Sequence, residues 1–330
     1  MDGHAQPAAR EAILEPDLPI VDPHHHLMAH YGMVYEIDDL KADMADGHNI
    51  QKTVYVECRR GYREGGPVSL VPVGETETVE RIVSALPPGG TDFCAGIVPH
   101  ADLLLGDAVD AVLDAHQAAA PTRFRGIRHL AAWDDDETVH LRMINEHPGI
   151  LENTDFRRGA KRLAARGLSF DTWIYHPQLP ELARFAHAVP ELTIVLDHIG
   201  MPVGVGRYAG RRAEVYEDWR RGIAEVAACP NVVVKLGGFV MPITGFSWHE
   251  RAVAVGSEEL AWAMRDYSLP LIDAFGPDRA MFESNFPMDR EGCAYNVLWN
   301  AFKRIAHGFS AEDKDRLFRA TATRIYRLDA

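Results

Sequence analysis

The chain is poor in cysteine, with four in 330 residues (Cys58, Cys94, Cys229 and Cys293) and no C-x-x-C spacing. Thiols scattered in this way exclude a disulfide-stapled scaffold and a zinc ribbon, and they read as buried side chains in a reducing compartment. Basic charge is also short: 34 Lys and Arg stand against 48 Asp and Glu, a net charge of −14. Such a field repels phosphate backbones and anionic lipid, so neither nucleic acid nor a membrane is expected as a partner. No stretch approaches the roughly 20 apolar residues that span a bilayer. The opening MDGHAQPAAREAI has neither the basic region nor the apolar run of a secretion signal, so a cytoplasmic protein is expected. Neither G-x-G-x-x-G nor a Walker pattern occurs, which speaks against an open nucleotide-binding sheet.

What is present is a core-forming composition, 47% hydrophobic and 25% charged, patterned as alternating strands and helices. Eight short apolar or β-branched runs predict strands at 18–22, 53–57, 93–98, 124–129, 170–176, 193–198, 232–236 and 280–285. Helical spacing fills the intervals at 38–46, 76–86, 108–118, 156–166, 179–189, 215–228 and 259–274, and continues at 295–306 and after Ser310. Strict alternation implies parallel strands joined by right-handed crossovers, and eight such units close most naturally into a (β/α)8 TIM barrel. The expected organisation is an N-terminal arm over 1–17 and one barrel domain over 18–330.

In such a barrel the reactive groups lie at the C-terminal ends of strands. The first strand ends in Val21-Asp22-Pro23-His24-His25-His26, where the two-residue strand period turns His24 and His26 to one face and His25 to the other. Paired imidazoles suit a divalent metal, but a catalytic zinc normally has a third protein ligand. His176, after Trp173-Ile174-Tyr175, and His198, in Leu196-Asp197-His198-Ile199-Gly200, both meet that need.

Taken with Phe124-Arg125-Gly126-Ile127-Arg128-His129, Tyr175-His176-Pro177, Met201-Pro202 after Gly200, Lys235-Leu236-Gly237-Gly238 and Ser284-Asn285-Phe286-Pro287, these segments give a chain that resembles the amidohydrolase superfamily over nearly its whole length. The resemblance is to the amidohydrolase-2 branch of lactonase-like hydrolases. It implies a metal, zinc where one is bound, held by His24, His26 and His176, with His198 touching substrate. The family's eighth-strand motif, Gly-Ser-Asp-x-Pro, supplies an aspartate to the metal or to the attacking water. Here the motif reads Glu283-Ser284-Asn285-Phe286-Pro287, and an amide cannot accept a proton at neutral pH.

Three readings stay open. Glu283, on the same face one pleat deeper, takes over as base; Glu57, ending the second strand, does so; or hydrolysis is lost and Asn285 holds substrate by hydrogen bonds. Either glutamate is equally suited to being the buried partner of Lys235 or Arg128. Arg128, nearer the strand end than Arg125, is placed to bind a carboxylate or a lactone carbonyl. Lys235, Tyr55 and Tyr175 are further candidates for substrate contact.

The expected activity is opening of a lactone or related cyclic ester of a small carboxylated or aromatic compound by water attack at the barrel mouth. A metal-dependent decarboxylase or other C–C lyase of the same superfamily, and a non-catalytic ligand-binding barrel, are the alternatives. The expected partner is a small-molecule substrate, with a homo-oligomer allowed, and the cofactor is a divalent metal or none.

Overall fold

A computed structural model describes residues 11–30, 32–139 and 148–329. Eight parallel strands carry the architecture: β1 Pro19–His25, β2 Asn49–Val56, β3 Asp92–Val98, β4 Gly126–Arg128, β5 Ser169–Thr172, β6 Ile194–Leu196, β7 Val232–Leu236 and β8 Ala280–Phe282. Each is followed by a helix: α1 Ile37–Met44, α2 Val73–Ser84, α3 Asp110–Ala119, α4 Thr154–Ala165, α5 Leu179–Ala188, α6 Arg212–Ala227, α7 Ser257–Phe275 and α8 Tyr295–Ile305. Strands β1 to β3 pair in sequence order, as do β4 to β8, and single parallel bridges at Ile97–Phe124 and His25–Phe286 join the two arcs. The closed ring is the (β/α)8 barrel that the alternation predicts. No helix among the described residues is long and apolar enough to cross a membrane.

The strand period decides what lies inside. Val21, Val54, Val195, Val233 and Met281 fill the lower barrel, while their neighbours Ile194, Leu196, Val232 and Val234 face the helices. After α8 the chain turns back beneath the barrel, where Ile325, Tyr326 and Leu328 close the apolar layer and Lys52 Nζ donates to the Leu328 carbonyl at 2.7 Å. One residue pair higher, the same inward parity delivers Asp171, Asp197, Lys235 and Glu283, all with fully buried side chains. A greasy plug therefore supports a polar storey, as barrel layering requires.

Of the arm, residues 1–10 lie outside the described residues. Its remainder is strapped to the barrel: Lys303 Nζ donates to the carbonyls of Leu14 and Glu15 at 2.7 and 2.9 Å, and Glu11 accepts the Ser257 N–H at 2.7 Å at the start of α7.

Candidate active site

Pairing of β1 with β2 shifts register after Ile20 and again after Asp22, which lets His24 turn inward three residues beyond Val21. His25 points out to Thr53 Oγ1 at 2.9 Å. The rings of His24 and His26 meet edge to face with centroids 4.9 Å apart, and the ring of His198 lies 4.6 Å from that of His24. Three imidazoles thus gather at the floor of the barrel mouth.

Glu283 organises two of them. Its Oε1 lies 2.7 Å from His198 Nδ1 and its Oε2 lies 2.8 Å from His24 Nδ1, and the backbone N–H of His198 donates to Oε1 at 3.2 Å. Burial raises the Glu283 carboxyl, but the His198 and His24 imidazoles outweigh it and hold it well below the usual range. Burial also draws His198 below its ordinary value against the opposing pull of Glu283. At neutral pH the pair is therefore a carboxylate accepting Nδ1–H from a neutral ring, whose Nε2 lone pair is left for the cavity that His198 lines.

The backbone that presents His198 is strained: His198, Ile199 and Met201 all have positive φ, at 54°, 53° and 30°. Trp219 on α6 anchors the turn through a 2.7 Å bond from Nε1 to the Ile199 carbonyl. The end of β7 closes from the other side with no side chains in the way. A Cβ at Gly237 would stand 2.3 Å from Glu283 Cγ, and one at Gly238 would stand 2.5 Å from His198 Cγ.

Below lies an ionic lattice. Lys235 Nζ contacts Asp171 Oδ2 at 2.9 Å, Asp197 Oδ1 at 3.1 Å and His24 Nδ1 at 3.1 Å. Arg128 Nε reaches Asp197 Oδ2 at 3.1 Å. Burial pushes Asp197 up, yet Lys235, His24 and Arg128 outweigh it and keep the carboxyl well below its usual range. Burial raises Asp171, with Lys235 opposing; it also accepts from Ser169 Oγ at 3.0 Å and from Tyr326. Pairing and hydrogen bonding are what make charges tolerable at this depth.

Above the floor opens a cavity of about 580 Å³. His26, Glu57, Arg128, Trp173, His198 and Asn285 supply its chemistry, and Met28, Val139, Val205, Met241 and Ile243 make much of the wall apolar. Arg128 is tied to Glu57 through its carbonyl at 3.2 Å and its carboxylate at 3.9 Å. Asn285 Nδ2 donates to Asp289 Oδ1 at 2.9 Å, leaving Oδ1 buried without a protein partner.

The structure separates other candidates from this group. His176 begins a turn rather than ending a strand: β5 stops at Thr172, and the inward positions are Asp171 and Trp173, so residue 176 has the opposite parity. Its Nδ1 accepts from the Val203 N–H at 3.3 Å, and its ring lies edge-on to Tyr208. The third imidazole beside His24 and His26 is therefore His198. Tyr55 faces outward and donates to Glu75 at 2.7 Å, because Val54 and Val56 take the inward parity of β2. Tyr175 donates to the Val139 carbonyl at 3.1 Å and does not line the cavity. Lys235 lies under the floor rather than in the cavity wall. Sequence reasoning passed over Asp171, Asp197 and Glu75; the parity shared by Val195 and Asp197 was the available signal for one of them.

The donor set suits a divalent cation. Among the described residues, His24, Asp197 and His198 bring ligand atoms within 4.8 Å of one another. His24 Nε2 is buried and lacks a protein partner. His26 Nδ1 is held by the Val56 carbonyl at 2.9 Å, which fixes its proton there and leaves the other nitrogen as a donor atom, the restraint typical of metal-binding imidazoles.

The model of the Amidohydrolase family matches residues 21–328. The uncharacterised protein y4mH of Sinorhizobium fredii is 32% identical over 94% of this chain and 99% of its own length. The L-fucono-1,5-lactonase of Burkholderia multivorans is 30% identical over 63% of this chain and 64% of its own. An amidohydrolase crystal structure from the same organism, with bound zinc, superposes with a TM-score of 0.72 at 23% identity, covering 93% of this chain and 99% of that one.

Proposed function

Because the chain belongs to the amidohydrolase family and is an enzyme of hydrolase type, we propose that it opens a lactone of a small hydroxylated or carboxylated acid by water attack in the 580 Å³ cavity. The observation that carries this reading is the His198–Glu283 pair, a neutral imidazole braced by a buried carboxylate at 2.7 Å beneath a mostly apolar pocket. Nε2 of His198 takes the proton of the attacking water, and Glu283 stabilises the imidazolium that forms. The same proton is then returned to the ring oxygen as the ester bond breaks. Arg128, held in place by Asp197 and Glu57, presents its guanidinium to the lactone carbonyl or a substrate carboxylate. Asn285, oriented by Asp289, offers Oδ1 to a substrate hydroxyl. Of the two carboxylates that the sequence offers as base, Glu283 then acts through His198 rather than on water.

A divalent cation held by His24, Asp197 and His198 would supply carbonyl polarisation and a more acidic water. With His198 engaged as a donor, Glu57 in the cavity wall is the carboxylate left to accept the proton.

The test is a panel of aldono-1,4- and 1,5-lactones and pyrone carboxylates followed by acid release, with and without chelator. His198→Asn is expected to lower kcat at least 100-fold, within the ~10²–10⁴ range of general-base catalysis. Loss on Glu57→Gln together with chelator sensitivity assigns the proton to Glu57. No lactone opened above its spontaneous rate, or carbon dioxide as product, sinks the hydrolase reading.

A further inference from the structure

A second cavity of about 520 Å³ adjoins the first, and three residues, Glu57, Arg59 and Leu130, line both. Each volume alone falls in the ~300–1,000 Å³ that houses a drug-sized ligand, so together they exceed what one monocyclic lactone fills. The two differ in character. Ser69, Tyr62, His100 and Asp102 join the shared Glu57 and Arg59 to make the second chamber the more polar of the two, although Val68, Val71, Pro72, Leu105 and Leu130 keep most of its wall apolar.

The partition is built rather than accidental. Arg59 sits at φ 66°, a conformation unfavourable for a side-chain-bearing residue, and the N–H groups on either side of it, of Cys58 and Arg60, both donate to Glu75 Oε1, at 2.8 and 2.9 Å. The loop also presses onto the start of α2, where a Cβ at Gly74 would stand 2.5 Å from the Gly61 carbonyl. Held strain of this kind is expected where a side chain must be aimed. His100, across the chamber, is likewise fixed: its Nδ1 lies 3.1 Å from the Arg128 carbonyl, which makes Nδ1 the protonated nitrogen and leaves Nε2 as an acceptor.

Resting on the lactonase reading above, we propose that the second cavity is a subsite for the distal half of a two-part substrate: a lactone whose ring enters the main cavity while a neutral, polyhydroxylated substituent, such as a second sugar ring, lies past Arg59 against Ser69, Tyr62 and His100. Glu57, shared with Arg128, and Asp102 leave the chamber without a surplus of positive charge to draw an anionic occupant. A mixture of donors and acceptors beside Val71, Pro72 and Leu105 matches the hydroxyls and apolar faces of a sugar.

Glucono-1,5-lactone and its 4-O-glucosyl derivative test this on the full chain. The wild type is expected to show at least tenfold higher kcat/KM for the disaccharide lactone. Ser69→Trp, which fills the chamber, and Val68→Trp, at a lining position that is 87% exposed, are each expected to bring the ratio within threefold of one. A wild-type ratio near one, or variants that slow both lactones equally, overturns the subsite while leaving the lactonase reading standing. If neither lactone is opened, that reading falls, and calorimetry with the two open aldonic acids still decides the subsite. Tenfold tighter binding of the glucosylated acid, lost in Ser69→Trp, supports it; equal binding overturns it.

Discussion

The side-chain amide of Asn285 is pinned by Asp289, Nδ2 to Oδ1 at 2.9 Å, at the position where the resemblance to the amidohydrolase-2 branch leads one to expect an aspartate. Asn285 lines the cavity and Asp289 does not, and Asn285 takes the orientation that Asp289 dictates. Burial raises the Asp289 carboxyl well above the usual carboxylate range, so the folded chain holds this proton to higher pH than the unfolded one.

That protonation has a sign that can be measured. Above pH 4 the unfolded Asp289 has released its proton while the folded one keeps it, so the folded chain binds more protons and stability falls as pH rises. Asp289→Asn removes this contribution. Relative to wild type, the variant is expected to gain about 1.4 kcal/mol of unfolding free energy per pH unit above pH 4 until the folded carboxyl ionises. Parallel urea-unfolding profiles for the two proteins between pH 5 and 8 contradict the assignment.

Buried histidines act at the acid end. Burial lowers His25 to about 3 and both His48 and His116 to about 4, from 6.5. Below 6.5 the unfolded rings take protons that the folded rings refuse, so stability is lost as pH falls from 6.5 toward 4. His116 accepts from Thr76 at 2.8 Å and donates to the His100 carbonyl at 3.1 Å, and Gln preserves a donor and an acceptor there. His116→Gln is expected to flatten the decline of the urea midpoint between pH 6.5 and 4.5 by one histidine's share; an unaltered slope is the contrary result.

Glu283→Gln keeps the shape of the floor and removes its charge. The imidazolium of His198 then lacks its counter-ion, and kcat for lactone opening is expected to fall about 100-fold or more with little change in KM. Steady-state kinetics that place kcat within threefold of wild type would dismiss the proton route through His198.

Glu75 is a positioning residue for the wall between the cavities. One oxygen accepts from Tyr55, Cys58 and Arg60, and burial, reinforced by Glu57, raises the carboxyl to about 7. Glu75→Ala strands those donors at ~1–3 kcal/mol apiece and frees Arg59 from its strained conformation. Lower thermal stability together with a raised KM and a nearly unchanged kcat is the expected outcome. Glu75→Gln, which keeps an acceptor, should restore KM; failure of that rescue, or a loss confined to kcat, argues for a different role.

Much of this was legible along the chain because strand and helix periods are local properties. The opposed faces of His24 and His25 follow from the two-residue pleat alone, the alternation of eight units from the strand and helix periods together, and the choice of Arg128 from its place nearer the strand end. Reading β5 as running through residue 176 misplaced His176, since the point where a strand stops is set by its neighbours' pairing and not by its own apolar run. Tyr55 and Glu57 share a parity but not a destination, because the chain leaves the sheet between them at Val56.

What the sequence by itself determined is therefore the architecture and the set of strand ends from which a site is assembled. Which side chains meet was decided only in three dimensions. His198 and Glu283 are 85 positions apart, and His24 and Lys235 are 211 apart. Their contact depends on barrel closure, on the register shifts of β1 and on two glycines that let β7 close against Glu283 and His198. No local pattern encodes a distance of 2.7 Å between residues brought together by the closing of a ring.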